Sequence, residues 1–309
     1  MLIDLLFSKI FGLPKNSAII IYQGGLGNQI FQYFLGYELE KIYKKKVYYY
    51  DIRNNYKIRH DSDMQKLFEL NLRKYNFGKL NYFLGLFFLS SKFLKFLKFV
   101  FQKYNLKIFP NIFFDLIDKP IDLNNICIKN NIVIFFGTWH NLMNKYKYPC
   151  DLNELKIKKN IFLPNSFNFE KKFISLHVRR GDYLDYCAAR FHGNLGINYY
   201  LNGISFLRNR FGNLPVLIFS DDHEWIKNNL ANQIQNSYLM SNQKSTPEID
   251  FYIMSKGNYF VLSNSTYAWL AAFFSKNKDK FIVLPKFWFK DKEILDSYIY
   301  KDWQYKIIE

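Results

Sequence analysis

Two adjacent arginines and a carboxylate, Arg179, Arg180 and Asp182, follow directly on the apolar run Phe173 to Val178, which holds one histidine, His177. A short apolar run bounded by a turn reads as a buried strand, and an open α/β fold binds its ligand where such strands end. An arginine in that position keeps its proton and presents a planar fork of donors suited to phosphate or pyrophosphate. Two of them predict a nucleotide-linked substrate. Charges that merely cap a sheet edge are the alternative.

Three further segments place polar groups at strand ends. Ser220, Asp221 and Asp222 follow the apolar run Pro215 to Phe219; such carboxylates hydrogen-bond a ribose or a base edge, or cap the next helix, and one of each is expected. Leu262-Ser263-Asn264-Ser265-Thr266-Tyr267 joins a strand to a helix and could cradle an anion with Asn264, Ser265 and Thr266. Half of that pattern is explained by simple capping. The third segment, Gln23-Gly24-Gly25-Leu26-Gly27-Asn28-Gln29-Ile30-Phe31-Gln32, follows the first strand. Gly25 and Gly27 let a ligand approach the backbone at a helix N-terminus, while Asn28 and Gln29 add side-chain hydrogen bonds. It departs from the dinucleotide fingerprint, since Ile30 stands where the third glycine belongs.

Two spacings are set aside. Asp61-Ser62-Asp63 has the shape of a diphosphate-metal motif but lies in a polar stretch away from any clear strand end. Arg180-Gly181-Asp182 spells an adhesion tripeptide but follows a buried strand.

The elements that must carry these residues alternate. Strands are expected at 18–22, 46–50 and 132–136, then at 173–178, 215–219, 259–262 and 281–284. Helices are expected near 199–211, 224–230, 248–255 and 267–274. That grammar predicts an α/β fold of two Rossmann-like domains. A 309-residue chain, 49% hydrophobic and 20% aromatic, can bury two such cores. Pro164 and its polar neighbours mark the boundary: an N-terminal extension over 1–16, a first domain over 17–165 and a second over 166–309, with the tail from Asp291 packing back across either domain.

The net charge of +17 favours anionic partners without choosing among nucleic acid, acidic membrane or nucleotide-sugar. Much of it is lysine scattered among asparagine and isoleucine, a compositional bias more than a site. Cys127, Cys150 and Cys187 form no CxxC pair or metal cluster. A reducing cytoplasm, no structural zinc and no secretory signal are expected. Tyr82 to Phe101 is apolar, but Lys92, Lys95 and Lys98 make it too charged to span a bilayer. It suits a core-packed helix with a basic face, or peripheral contact with the inner face of the plasma membrane.

In order along the chain stand GGLGNQIFQY at 24–33, FFGTWHN at 135–141, HVRRGDY at 177–183, LGINYY at 195–200, SDD at 220–222, SNSTYAW at 263–269 and PKFW at 285–288. On these motifs the chain closely resembles the bacterial α-1,2-fucosyltransferases of glycosyltransferase family 11, from about Ile19 to Trp288. It departs from the family's pattern at Lys256-Gly257-Asn258-Tyr259 and at Leu270, positions that read as packing.

The resemblance implies a GT-B fold of two facing domains, with GDP-β-L-fucose bound mainly by the second. It implies inversion at the anomeric carbon without a metal, the sugar passing to the 2-hydroxyl of a terminal β-galactoside in a surface glycan. On that model Arg179 and Arg180 stabilise the leaving phosphate. His177 and Asp222 contact ribose and guanine, Ser265 and Thr266 take phosphate oxygens, and Asp182 is the first candidate for general base. Asn28 positions acceptor or fucose from the first domain. His177 also alternates inward on its strand, so a satisfied core histidine stays open. Tyr22, Trp139, His140 and the aromatic region 75–114 are candidates to line the acceptor pocket.

Three other readings compete. One is a fucosyltransferase of α-1,6 or α-1,3 linkage. A basic nucleic-acid-binding protein would bind with steep salt dependence and ignore GDP. A catalytically dead glycan-binding module would have no use for a pyrophosphate site.

Overall fold

The computed structural model describes residues 15–52, 64–75, 112–114, 123, 126, 132–139, 155–158, 167–184, 189–190, 192–241, 245–290, 292–294 and 296–309. They fall into two compact units, one of residues 1–61, 70–142 and 146–151, the other of 62–69, 143–145 and 152–309.

In the first unit, runs of β-branched and aromatic residues form β1 (Ser17–Tyr22), β2 (Lys46–Asp51), β3 (Ile112–Phe114) and β4 (Ile132–Phe136), in the order β2-β1-β4-β3. Every pairing is parallel. All six residues of β1 are buried, as a strand inside a parallel sheet requires, because crossover helices cover such sheets on both faces. The helix α1 (Leu26–Lys41) carries the chain from β1 back to β2.

The second unit is larger. Its sheet contains β5 (Ile174–Val178), β6 (Val216–Ser220), β7 (Ser237–Leu239), β8 (Tyr259–Val261), β9 (Phe281–Pro285) and β12 (Gln304–Ile308). The order is β12-β9-β8-β5-β6-β7, parallel throughout. Counted along the chain within this unit, that is 6-5-4-1-2-3, the strand order of a dinucleotide-binding Rossmann domain, which reverses between β5 and β8. Between strands lie α2 (Ile197–Phe211), a helical turn His223–Trp225 running into a π-helix Ile226–Leu230, α3 (Pro247–Met254) and α4 (Thr266–Phe274). A two-stranded antiparallel ribbon of β10 (Phe287–Phe289) and β11 (Lys292–Glu293) follows β9.

The period of two along β5 divides the domain. Ile174, Leu176 and Val178 face one way and join Tyr200, Ile204 and Leu207 of α2 in the core. Ser175 and His177 therefore face the other way.

Most expected elements appear within a residue or two of their sequence bounds. The tail is a correction: its last residues do not pack across a domain but add β12 to the edge of the second sheet. The boundary is another, since the second unit begins nearer residue 152 than 166 and takes in 62–69. There Phe68 forms an isolated bridge with Ile157, and its ring packs on Phe274 at 5.5 Å. The positions that depart from the family pattern do pack: Asn258 Oδ1 accepts the Phe173 N–H at 3.2 Å, and Leu270 is buried.

Candidate functional site

The reversal of strand order leaves a crevice at the carboxyl ends of β5 and β8, and the sequence fills both rims. From β5 comes the turn Arg179-Arg180-Gly181, which passes into a 3-10 turn over Asp182–Leu184. From β8 comes Leu262-Ser263-Asn264-Ser265, which enters α4 at Thr266.

The arginine turn is anchored on two sides. Asp221, just past β6, accepts the Arg180 N–H at 2.9 Å and the Gly181 N–H, and pairs with Arg179 Nη1 at 2.8 Å. A Cβ at 181 would stand 2.6 Å from Asp221 Oδ2, so a larger residue there must displace that carboxylate. Tyr183 then donates from its hydroxyl to the Asn264 carbonyl at 3.0 Å, tying the turn to the end of β8. The Arg179 guanidinium lies 5.5 Å from the Tyr183 ring centre. Burial pushes the Asp221 carboxyl up, but Arg179, the two backbone N–H groups and the nearby His177 outweigh it and hold it below its ordinary range.

Asp222 does two things. Its Oδ1 accepts the Trp225 N–H at 3.1 Å and caps the helical turn, while its Oδ2 accepts from Arg180 Nε at 3.2 Å. The expected division, one carboxylate binding and one capping, therefore takes another form: Asp222 caps and Asp221 braces the arginine turn.

His177 is buried, with Nδ1 2.6 Å from the Ser263 hydroxyl and its ring 5.4 Å from that of Tyr267. This is the buried, hydrogen-bonded setting that the core-histidine reading expects. Burial is the chief cause that drives its pKa from 6.5 down to about 3; Asp221 opposes the shift and Arg179 adds to it. The unfolded chain then binds one more proton than the fold between about pH 6.5 and 3, so stability falls as the pH drops through that window. Urea midpoints measured from pH 7 to 4 are expected to fall progressively as the pH is lowered, with this group contributing to the decline. His177→Gln should remove that component, and an unchanged slope would refute it.

At the β8 rim, Asn264 is buried and its amide nitrogen is committed to the carbonyls of His192 at 2.9 Å and Trp288 at 3.1 Å, a brace for the junction. Ser265 stands at the N-cap of α4, yet its side chain makes no capping bond. Thr266 begins the helix. This end of α4 keeps the polarity that favours an anion.

In the first unit, Gly24 takes φ +77°, and Gly25 occupies the N-cap of α1 without a side-chain cap. Gly27 is buried in the first helical turn, with the half-buried Asn28 beside it. Two buried glutamines hold this loop. Gln29 accepts from Tyr22 Oη at 2.8 Å and donates to the Gly24 carbonyl at 2.9 Å. Gln32 accepts the Gln23 N–H at 3.1 Å and donates to the Gly137 carbonyl at 2.8 Å. Gln32 closes the segment read from sequence but is given no role there; its three-residue spacing from Gln29 on one helix face was the available signal. Tyr22 and Trp139 are corrections, both buried in the core of this unit, with Trp139 edge-on to Phe135 at 5.3 Å.

Residue-type reasoning also passes over Asp250 of α3. Ser241 donates to its Oδ2 at 2.5 Å and Ser245 to its Oδ1, while Ser241 Oγ accepts the Ser220 N–H at the end of β6. A carboxylate four residues after the Thr246 cap reads as an ordinary helix position. The Asp182 side chain, His140, Asp61 to Asp63, Tyr82 to Phe101 and most of 75–114 lie outside the described residues. Among the described residues no helix is long and apolar enough to cross a membrane, and no three His, Cys, Asp or Glu side chains cluster for a metal.

The family model "Glycosyl transferase family 11" matches residues 153–307. An Escherichia coli O-antigen biosynthesis glycosyltransferase, WbnK, is 31% identical over 89% of this chain and 97% of its own length. An Escherichia coli alpha-1,2-colitosyltransferase is 30% identical over 88% of this chain and 92% of its own. The human galactoside alpha-(1,2)-fucosyltransferase 1 is 28% identical over 40% of this chain and 34% of its own. Among solved structures, a mutant of Arabidopsis thaliana FUT1 in complex with GDP matches with a TM-score of 0.50 at 15% identity, covering 87% of this chain and 70% of that one. NodZ alpha-1,6-fucosyltransferase co-crystallized with GDP matches with a TM-score of 0.50 at 11% identity over 84% and 92%. At such identities these likenesses show the fold, and the expected GT-B-like α/β architecture stands.

Proposed function

Because the chain belongs to glycosyltransferase family 11, we propose that it transfers L-fucose from GDP-β-L-fucose to the 2-hydroxyl of a β-galactoside terminus in a bacterial surface glycan. The observation that carries this reading is the arginine turn at the β5 end, braced by Asp221, at the crevice where strand order reverses. Relatives whose names specify O-antigen biosynthesis, alpha-1,2-colitosyl transfer and alpha-1,2-fucosyl transfer support the linkage and the setting.

The reaction is a single displacement. The acceptor hydroxyl oxygen forms a bond to the anomeric carbon as the bond from that carbon to the β-phosphate oxygen breaks, through an oxocarbenium-like transition state. The electron pair leaves with GDP, so negative charge grows on the β-phosphate. A preorganised cation at that oxygen lowers the barrier without reorganising. Arg179 takes that role, its fork oriented in advance by Asp221. The polar N-terminus of α4, with Ser265 and Thr266, receives the remaining phosphate oxygens. The hydroxyl proton passes to a carboxylate or imidazole base, for which Asp182 is the candidate, and no metal enters the scheme. Beyond the end of β6, where a Rossmann domain seats ribose and base, Asp250 and its serines offer acceptors to the base edge.

The test is incubation of purified protein with GDP-fucose and lactose in chelator, following GDP release and product linkage, with the GDP derivative of colitose in parallel. An α-1,2-linked fucosyl product is expected. An α-1,6 or α-1,3 product would replace the linkage, turnover of colitose alone would replace the donor sugar, and failure to bind GDP at all would sink the reading.

A further inference from the structure

The two adjacent arginines do not share an environment. Successive residues at a strand end project to opposite faces. Arg179 continues the His177 side, where its charge is felt by His177 and by Tyr267 of α4. Arg180 continues the Val178 side, where its charge reaches Tyr200 of α2. Their side chains also take different carboxylates, Arg179 that of Asp221 and Arg180 that of Asp222.

Arg180 is also clamped. Its guanidinium carbon lies 3.9 Å from the centre of the Trp225 ring, van der Waals contact with the indole face. Nε is held by Asp222 Oδ2 at 3.2 Å, and Asp222 is fixed in turn by the Ser220 hydroxyl, which bonds its N–H at 3.1 Å. A guanidinium against an aromatic face has that surface covered, and the Arg180 side chain keeps 18% of its area exposed to a ligand. That is a stacking surface for a nucleobase, since every base has a π-face and arginine stacks upon it. Its position agrees: Asp222 and Trp225 follow β6, on the side of the crevice that takes ribose and base, whereas Ser263 to Thr266 follow β8 on the phosphate side.

We propose that Arg180, held against Trp225, is the stacking platform for the donor's nucleobase, that Trp225 is its positioning residue, and that the phosphate charge falls to Arg179. The proposal rests on the reading that the donor is a guanine nucleotide-sugar. It gives the HVRRGDY turn two distinct tasks, one charge for the leaving group and one flat surface for the base.

The experiment measures affinity for GDP by calorimetry, and inhibition by inorganic pyrophosphate, for the full chain and for Trp225→Leu, Trp225→Phe and Arg180→Met. Trp225→Leu should weaken GDP binding about tenfold, equivalent to about 1.4 kcal/mol, and leave pyrophosphate inhibition within about twofold, because the lost contact concerns the base. Trp225→Phe restores an aromatic face and should recover most of the GDP affinity. Arg180→Met, which keeps the length and removes the cation, should weaken GDP and spare pyrophosphate. Equal losses for both ligands would return Arg180 to the phosphates and overturn the proposal, as would unchanged GDP affinity in Trp225→Leu. A wild-type protein that binds no GDP sinks the donor reading itself, a different result from wild-type binding that the variants leave intact.

Discussion

Replacing Arg179 with alanine is expected to lower kcat by roughly a thousandfold while leaving the fold in place, the size of effect seen when one preorganised donor to a developing oxyanion is removed. The side chain lies at a strand end and is 23% exposed, so its loss opens no core cavity. On the proposed function its charge faces the β-phosphate as negative charge gathers there, and that interaction is strongest in the transition state, so the loss should fall on kcat more than on KM. Arg179→Lys keeps the charge but not the planar fork that meets two oxygens at once. It should recover part of the activity and still fall well short of wild type. Thermal unfolding and far-UV dichroism establish that the variants are folded, and GDP release under saturating donor gives kcat. A variant within tenfold of wild type would remove Arg179 from the chemistry.

The sequence makes the inner strands of both sheets legible because parallel strands buried on both faces must be near-continuous apolar runs, as Ala18 to Ile21 and Val216 to Phe219 are. The strands it hides are edges. β12 presents Gln304, Tyr305 and Lys306 to solvent and brings only Ile308 against the core, too little for an apolar run to show. β7 is three residues at the other edge, none of them fully buried. The site divides in the same way. Arg179, Arg180, Asp221 and Asp222 are legible because charge at a strand end is conspicuous, whereas their mutual assignment is not, since a carboxylate that braces an arginine and one that holds ribose share the same letters. Trp225 is hidden for a like reason: three residues after a capping aspartate, it reads as a helix residue until its indole is found beneath Arg180.

Asp221→Asn is expected to cost activity heavily, though less than the loss of Arg179, and the side chain need never touch the donor. Its carboxylate joins three parts of the turn, the Arg179 guanidinium and the N–H groups of Arg180 and Gly181. An amide keeps one acceptor oxygen but brings a donor group against a guanidinium and loses the charge. Charge-assisted bonds contribute about 1.5 to 3 kcal/mol each, so a loss of roughly a hundredfold in kcat is expected, with Arg179 free to sample unproductive rotamers. The pH dependence has a definite sign. The folded carboxyl is held below its ordinary value near 3.8, burial opposing and Arg179 with the backbone N–H groups prevailing. Its contribution to stability is therefore present above the unfolded value and is lost as the pH falls through the lowered folded one. A double-mutant cycle shows whether the effect runs through Arg179. If Asp221 acts through Arg179, adding Asp221→Asn to Arg179→Ala should cost little more than Arg179→Ala alone, since the tethered group is already gone. Strict additivity would show instead that Asp221 acts by a route other than Arg179, through the Arg180 and Gly181 N–H groups it holds or by a contact of its own with the ribose.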